Sequence, residues 1–404
     1  MPATAKSTGQ AKPLPVPNSD FYQLADTLND EERGLLKQVR TFMETKVAPI
    51  INKHWVEDSF PFELLPDFKE LNIGGLGMQG YGCRGGSALL FGLAAMEMAR
   101  VDASIATFFG VHNGLAMGSI YATGSEEQKQ KWLPQMARFE KIGCFGLTEP
   151  LVGSGASGGL TTTAKREGDT WVLNGQKRWI GNSTWCDVSI IWARDVADNQ
   201  VKAFLIENKS TPGFTVEKIQ NKIALKVVQN GEITMKDVRL PEANHLQEGK
   251  SFRDTARVLK MTRYLVAWET TGCQMGAYEH AVKYAQERIQ FGKPIGSFQL
   301  IQDLLARMLA NITACQCLVV RMAQLHAEGK LTDAQAALSK AFTTSKTRET
   351  VAWAREILGG NGVTTDYHVA RYFADCEALY SYEGTYQMQN LIVGKAITGF
   401  SAFV

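Results

Sequence analysis

No charge of either sign dominates this 404-residue chain: 43 Lys and Arg face 41 Asp and Glu, a net charge of +2. No long-range field therefore selects nucleic acid or a charged membrane as a partner. No unbroken run approaches about 18 apolar residues, so no membrane span is expected. The six histidines are dispersed and form no HExxH pair, so no metal is expected. The seven cysteines are Cys83, Cys144, Cys186, Cys273, Cys315, Cys317 and Cys376. They make no CxxC pair and no zinc spacing, and no secretory segment accompanies them. Free, mostly buried thiols in a reducing compartment are expected. The opening MPATAKSTGQAKPLPVPNSD carries four Pro, two Lys and no Arg, a poor match to an amphipathic Arg-rich presequence. It reads as a mobile tail over 1–20. The final Ser401-Ala402-Phe403-Val404 is no peroxisomal tripeptide.

What is present is ordinary globular composition. Hydrophobic residues make up 45% and charged residues 21%, which excludes disorder, collagen and coiled coil. At roughly 100–200 residues per domain the length implies about two to four domains, enough to bury a large core without disulfides or metal.

Three compositional zones follow one another. From Phe21 to about 143 the period is helical. Asn29 or Asp30 caps a helix whose first turn is acidic and whose Leu35, Leu36, Val39 and Phe42 recur at helical spacing. Ser125 followed by Gln128 is a second capped start. Between 144 and 250, strand-like runs appear at Thr170–Leu173, Val188–Trp192, Ala203–Ile206 and Ile233–Val238. Asn174-Gly175, Pro212-Gly213 and Asn230-Gly231 are turn signals between such runs. From 251 to 404 the helical period returns, with Ile301, Leu304, Leu305, Met308, Ile312, Cys315 and Val319 in one stripe. The expected architecture is α+β and multidomain, helices then strands then helices.

Four segments invite chemistry, and each has a plainer reading. Gly153-Ser154-Gly155-Ala156-Ser157-Gly158 satisfies GxGxxG, but Thr148-Glu149-Pro150 precedes it where a dinucleotide fold needs a hydrophobic strand. A loop, or a backbone nest for phosphate, fits better. Glu383 in Tyr382-Glu383-Gly384-Thr385 is either a solvated surface acid or a base whose pKa an apolar surround raises. Trp179 is either a core indole or a flat wall for a planar ring. Arg288, before Phe291-Gly292-Lys293-Pro294, either ends a helix or reaches a pyrophosphate.

Taken together and in order, the motifs resemble the acyl-CoA dehydrogenase and oxidase superfamily over nearly the whole chain from Phe21. The matching stretches are Cys144-Phe145-Gly146-Leu147-Thr148-Glu149-Pro150, Asn174-Gly175-Gln176-Lys177-Arg178-Trp179-Ile180, Glu287-Arg288-Ile289-Gln290-Phe291-Gly292-Lys293-Pro294, Leu358-Gly359-Gly360-Asn361-Gly362 and Tyr382-Glu383-Gly384-Thr385. The chain looks most similar to the glutaryl-CoA dehydrogenase branch and the plant short-chain acyl-CoA oxidases. Arg178–Thr184 and Val228–Gly231 resemble the oxidases.

That resemblance implies a helical N-terminal domain (21–143), a central β-barrel or sandwich domain (144–250) and a C-terminal four-helix bundle (251–404), in a homotetramer with FAD. Glu383 would be the catalytic base, taking the proton α to a thioester while the β-carbon gives a hydride to flavin N5. Phe145, Leu147, Thr148, Trp179 and Ile180 would meet the flavin, and Ser154 would lie near phosphates and substrate. Arg288, Phe291, Gln299, Glu356, Gly359 and Gly360 would bind FAD from a neighbouring subunit. Thr385 and Gln387 would also touch FAD, and Arg263 and Gly384 would touch the acyl-CoA.

The chain departs from the family pattern in places. Gly155 replaces a usual Asp, Gly181 a usual Thr, and Glu356 stands where many members have Gln. Some branches carry the base near Thr262, and Thr262 itself cannot serve. Ala106 stands where glutaryl enzymes carry an Arg for the distal carboxylate, which points to a short monocarboxylic acyl chain. The expected acceptor is electron-transfer flavoprotein, with O₂ as the alternative, and glutaryl-CoA with decarboxylation is a further alternative. No nucleic-acid partner is expected. The compartment would be the cytoplasm of a bacterium or the mitochondrial matrix of a eukaryote.

Overall fold

The computed structural model describes residues 13–208 and 210–402. The expected tail over 1–20 therefore lies, for its first twelve residues, outside the described residues. Within its remainder Ser19 is buried, its hydroxyl donating to Glu279 of the C-terminal helices.

The first zone holds helices α1 (Asp30–Phe42), α2 (Ala48–Glu57), α3 (Leu65–Leu71), α4 (Ala88–Val101), α5 (Ala103–Phe109), α6 (Gly118–Thr123) and α7 (Glu126–Ala137). The caps form as the side chains dictate. Asn29 accepts from the Glu32 N–H at 2.9 Å, and Ser125 and Gln128 cap each other reciprocally. The Gln128 amide also donates to the Ala243 and His245 carbonyls, tying α7 to the strand zone. Helix α4 is buried on every side from Leu90 to Val101, so it is a core helix rather than an amphipathic one.

The second zone is a seven-stranded mixed sheet built from β1 (Gly143–Gly146), β2 (Thr163–Glu167), β3 (Thr170–Ile180), β4 (Val188–Asp195), β5 (Val201–Glu207), β6 (Phe214–Lys218) and β7 (Gly231–Pro241). A single-turn helix, α8 (Ala156–Gly159), lies between β1 and β2. The strand order is β1-β4-β2-β3-β7-β6, with β5 on the other edge of β4. Strand β4 pairs in parallel with both β1 and β2 and is buried along almost all its length, as a two-sided core strand should be.

One turn expectation fails inside this sheet. Asn174-Gly175 is no hairpin turn: β3 runs through it with a register shift between Leu173 and Gly175. Gly175 has φ 143°, and a Cβ there would fall 2.6 Å from the backbone of Thr162, just before β2. Glycine is needed for close approach at a bulge, not for a reversal. Strands β2 and β3 form a hairpin turning at Gly168-Asp169, and Trp179 follows it on β3. It lies near the end of β3 within a second register shift, with φ 67°.

The third zone comprises α9 (Phe252–Glu287), α10 (Gln299–Ala327), α11 (Asp333–Ile357), α12 (Val369–Ser381) and α13 (Tyr386–Thr398). Helix α11 packs against α9, α10, α12 and α13. At about 1.5 Å per residue the 36 residues of α9 reach about 54 Å, and residues 262–278 at its centre are all buried. The predicted stripe of α10 faces inward, with Met308, Ile312, Cys315 and Val319 fully covered. An 18-residue window of α10 has mean hydropathy 1.4, so this helix is long and apolar enough to cross a membrane by length and composition. Charged residues such as Asp303 and Arg307, which pair with each other, interrupt its apolar run in the sequence. Its buried face packs on α9 and α11.

The zones are locked by buried polar contacts. Asp102 caps α5 by accepting from the Ile105 N–H at 2.7 Å and is ion-paired with Arg371 of α12. Tyr372 donates to the Val101 carbonyl at 2.9 Å. All seven cysteines are free, with Cys317 exposed and Cys83 half-buried.

Candidate active site

Glu383 lies in the short link between α12 and α13, in left-handed backbone with φ 52°. Such a φ is uncommon and costly for a residue with a side chain, and surrounding contacts hold it. Thr385 caps α13 through the Met388 N–H. The buried Gln389 amide donates to the Glu383 and Gly384 carbonyls at 3.1 and 2.9 Å. Lys340 of α11, fully buried, donates from Nζ to the Gly384 carbonyl at 2.7 Å.

The Glu383 carboxylate is aimed at α9, where the Thr262 hydroxyl donates to its Oε2 at 2.6 Å. Burial raises the Glu383 pKa above the ordinary carboxylate range, against the Thr262 hydrogen bond and the charges of Lys340 and Arg263. Glu383 is thus half-buried and hydrogen-bonded rather than a freely solvated surface acid. Arg263, buried, donates from Nε to the Leu259 carbonyl, while its Nη1 makes no hydrogen bond and has Asp333 as an ion-pair partner at 4.0 Å. A buried guanidinium nitrogen with no hydrogen bond and a counter-charge only at 4.0 Å can donate to an acceptor on a ligand.

A second group of predicted residues gathers on the sheet. Phe145, at the inner end of β1, and Leu147 are buried. Thr148 is strapped to β3: its hydroxyl donates to the Arg178 carbonyl at 2.6 Å, and its carbonyl accepts from the Arg178 N–H at 2.9 Å. Those bonds place Thr148 beside Trp179. The indole is not in the core. It is 54% exposed, with the Arg178 guanidinium 5.3 Å from its ring centre, whereas its neighbour Ile180 is buried. Exposed indole on strained backbone is a surface waiting for a flat partner.

The base of the loop that leaves this wall is fixed by Glu149. Its carboxylate accepts from Lys177 Nζ at 2.9 Å and from the Thr161 and Thr162 N–H groups. Burial opposes the charge, but Lys177 and the Thr161 and Thr162 donors outweigh it and hold the Glu149 pKa at about 2. Beyond it Ser154 is exposed on an irregular loop; β1 ends at Gly146, and the glycines run into the single turn of α8.

The wall and the acid are connected through the N-terminal zone. A Cβ on Gly181 would touch Val111, and one on the adjoining Gly110 would fall 2.9 Å from Glu269 Oε1. Glu269 in turn accepts from the hydroxyl of Tyr382, which precedes Glu383, at 2.6 Å. Sequence reasoning missed Glu269 and Lys340. The available signal was a lone acid inside the small and apolar run Leu265–Cys273.

The remaining predicted residues gather elsewhere. Arg288 ends α9 and is exposed. Phe291 is 93% exposed and packs on Phe298 at 5.9 Å. Gln299, Glu356, Gly359 and Gly360 are exposed too, and Asn361 donates to the Tyr284 hydroxyl at 2.9 Å, drawing the glycine turn to the same end of α9. Arg288 follows Thr262 by 26 residues, about 39 Å along the helix. One chain therefore does not bring this cluster to Glu383. Thr385 and Gln387 adjoin Glu383, with Gln387 exposed. Among the described residues no group of His, Cys, Asp and Glu is arranged to hold a metal.

Comparison with known proteins matches this arrangement. Models of the acyl-CoA dehydrogenase N-terminal, middle and C-terminal domains match residues 29–140, 144–238 and 249–398. The chain belongs to the acyl-CoA dehydrogenase family. The short-chain specific acyl-CoA dehydrogenase of Megasphaera elsdenii is 34% identical over 378 residues, 92% of this chain and 98% of the relative. The CarC subunit of the caffeyl-CoA reductase–Etf complex of Acetobacterium woodii is 33% identical over 372 residues, 90% and 97% of the two chains. A glutaryl-CoA dehydrogenase from Mycobacterium smegmatis, solved in complex with FADH2, superposes with a TM-score of 0.92 at 34% identity, covering 96% of this chain and all of that one. An enzyme of this family with the helix–sheet–helix architecture is thus what the sequence motifs pointed to.

Proposed function

We propose that the chain is an FAD-dependent dehydrogenase of short-chain acyl-CoA thioesters, producing the trans-2-enoyl-CoA with Glu383 as base. The observation that carries this reading is the partly buried Glu383 carboxylate, held by Thr262 at 2.6 Å and pushed to higher proton affinity by burial. The Thr262 hydrogen bond fixes one carboxylate oxygen and leaves the other to take the proton α to the thioester. A positioned base of this kind is worth about 10²–10⁴ in rate. Lys340 and Arg263 keep the base anionic until it acts. The Arg263 Nη1, which makes no hydrogen bond, offers a donor to the acyl-CoA, and Gly384 follows the base in the same link.

The exposed Trp179 face, strapped to Thr148 and flanked by Phe145, Leu147 and Ile180, fits the flat ring of a flavin. When bound, the flavin takes up the hydride equivalent leaving the β-carbon. Ser154 is suited to phosphate only if its loop folds over the ligand. The cluster of Arg288, Phe291, Gln299, Glu356, Gly359 and Gly360, about 39 Å from Thr262, would serve the FAD of another subunit, which supports a homotetramer. Exposed Phe291 and Leu300 at that end are the kind of apolar surface that subunits cover. Electron-transfer flavoprotein is the proposed acceptor.

Ala106 is fully buried and supplies no cation for a distal carboxylate, which favours a monocarboxylic chain over glutaryl-CoA. An acyl-CoA panel run with and without air tests the reading. Butyryl-CoA is expected to bleach the flavin anaerobically with no peroxide formed in air. Labelled CO₂ from glutaryl-CoA, or substrate-dependent peroxide, would overturn the substrate or the acceptor respectively.

A further inference from the structure

Two consecutive residues of the link carrying Glu383 are clamped to one face of α9. Thr262 holds Glu383, and Glu269, seven residues later, holds Tyr382. Seven residues are close to two helical turns, so both clamps point the same way. Glu269 is only 2% exposed, and the missing side chain of Gly110 makes room for its Oε1.

We infer that Glu269 is a positioning residue for the reaction: through Tyr382 it fixes the link bearing the base, and its own charge sets how tightly Glu383 holds a proton. The inference rests on Glu383 being that base.

The groups facing Glu269 are few. From the α12–α13 link come Tyr382, its hydrogen-bond donor, and Glu383, a like charge. From α5 comes Thr107, which is uncharged and bonds Tyr382; Leu265 of α9 shares the space beside Gly110. Lys340 of α11 and Arg263 of α9 act on Glu383 instead. Glu383 thus has two cations and a hydroxyl to stabilise its charge, while Glu269 has one hydroxyl. The charge of Glu383 is among the causes that raise the proton affinity of Glu269. Burial, reinforced by Glu383 and opposed by the Tyr382 hydroxyl, puts the Glu269 step at about 7. Ionised Glu269 then repels the Glu383 charge and makes Glu383 a stronger base.

The test is the pH dependence of anaerobic flavin reduction by saturating butyryl-CoA in the holoenzyme. The wild type is expected to gain several-fold in rate through an inflection near pH 7. Glu269→Gln is expected to lose the Glu269 part of that inflection and keep only what Lys340, lowered by burial to about 7, contributes. Tyr382→Phe, which deletes only the hydroxyl favouring ionised Glu269, is expected to move it to higher pH. Residues that merely support the fold would change the rate evenly across pH. An inflection unmoved in both variants overturns the inference, and Tyr382→Phe decides alone if Glu269→Gln does not fold.

Thermal stability from pH 5 to 8 gives a second readout without turnover. The melting temperature of Glu269→Gln relative to wild type should rise with pH, because folded Glu269 holds a proton that the unfolded chain has lost. A constant difference contradicts the inference even if butyryl-CoA proves inert. Glu383→Gln separates the two readings. If it still reduces flavin, the base assignment fails; if it is inactive while the Glu269 and Tyr382 variants keep the wild-type profile, only the present inference fails.

Discussion

Lys340→Met is expected to stabilise the protein while weakening its catalysis near neutral pH. Burial lowers the Lys340 pKa to about 7 from 10.5, with Glu383 opposing the shift and Arg263 adding to it. Between those values the folded protein binds fewer protons than the unfolded chain. The destabilisation is therefore full below pH 7 and fades as pH rises toward 10.5. At about 1.36 kcal/mol per pH unit it amounts to at most about 5 kcal/mol below pH 7 and about 2 kcal/mol at pH 9. Methionine removes that cost but loses the hydrogen bond to the Gly384 carbonyl, worth about 1.5–3 kcal/mol. The net gain is about 2–3 kcal/mol at pH 6.5 and near zero at pH 9.

An unfolding entropy of about 2.1 cal/mol/K per residue gives a chain of 404 residues about 0.85 kcal/mol/K. The melting temperature should then rise by about 3 °C at pH 6.5. Glu383 meanwhile loses a positive neighbour that opposes its upward shift. The ascending limb of kcat/KM against pH should move to higher pH, lowering the rate on the limb. Calorimetry at pH 6.5 and 9 and a pH–rate profile check both halves. A melting temperature that falls at pH 6.5, with an unmoved limb, would refute the reasoning.

Gly175→Ala places a Cβ 2.6 Å from the Thr162 backbone at φ 143°; a loss of at least about 2 kcal/mol is expected, read as a melting temperature lower by about 2 °C or more. Trp179→Ala removes an exposed side chain, so calorimetry should find stability within about 0.5 kcal/mol of wild type. Flavin retained through gel filtration, measured by absorbance, should fall; undiminished retention would remove Trp179 from the flavin wall.

Helix caps at Asn29 and Ser125 and the α10 stripe were legible because caps and periodicity are local. The family resemblance was legible because its motifs occur in order. The sheet was less so. Asn-Gly favours the same positive φ in a hairpin turn and in a bulge, and only the approach of Thr162 distinguishes them at Gly175. The five-residue β6 is too short and polar for its period to register. Whether Trp179 is buried depends on which side of a register shift it falls. Glu269 and Lys340 look like ordinary polar positions on helices, because burial comes from the four other helices around α11 and from α4 and α5 against α9, none of which is local in sequence.

The most direct measurement is anaerobic flavin reduction by butyryl-CoA in Glu383→Gln, with thermal stability recorded alongside. The folded variant is expected to retain its flavin and lose at least about 10² of the reduction rate. A folded, flavin-loaded Glu383→Gln that reduces its flavin at the wild-type rate would contradict the account.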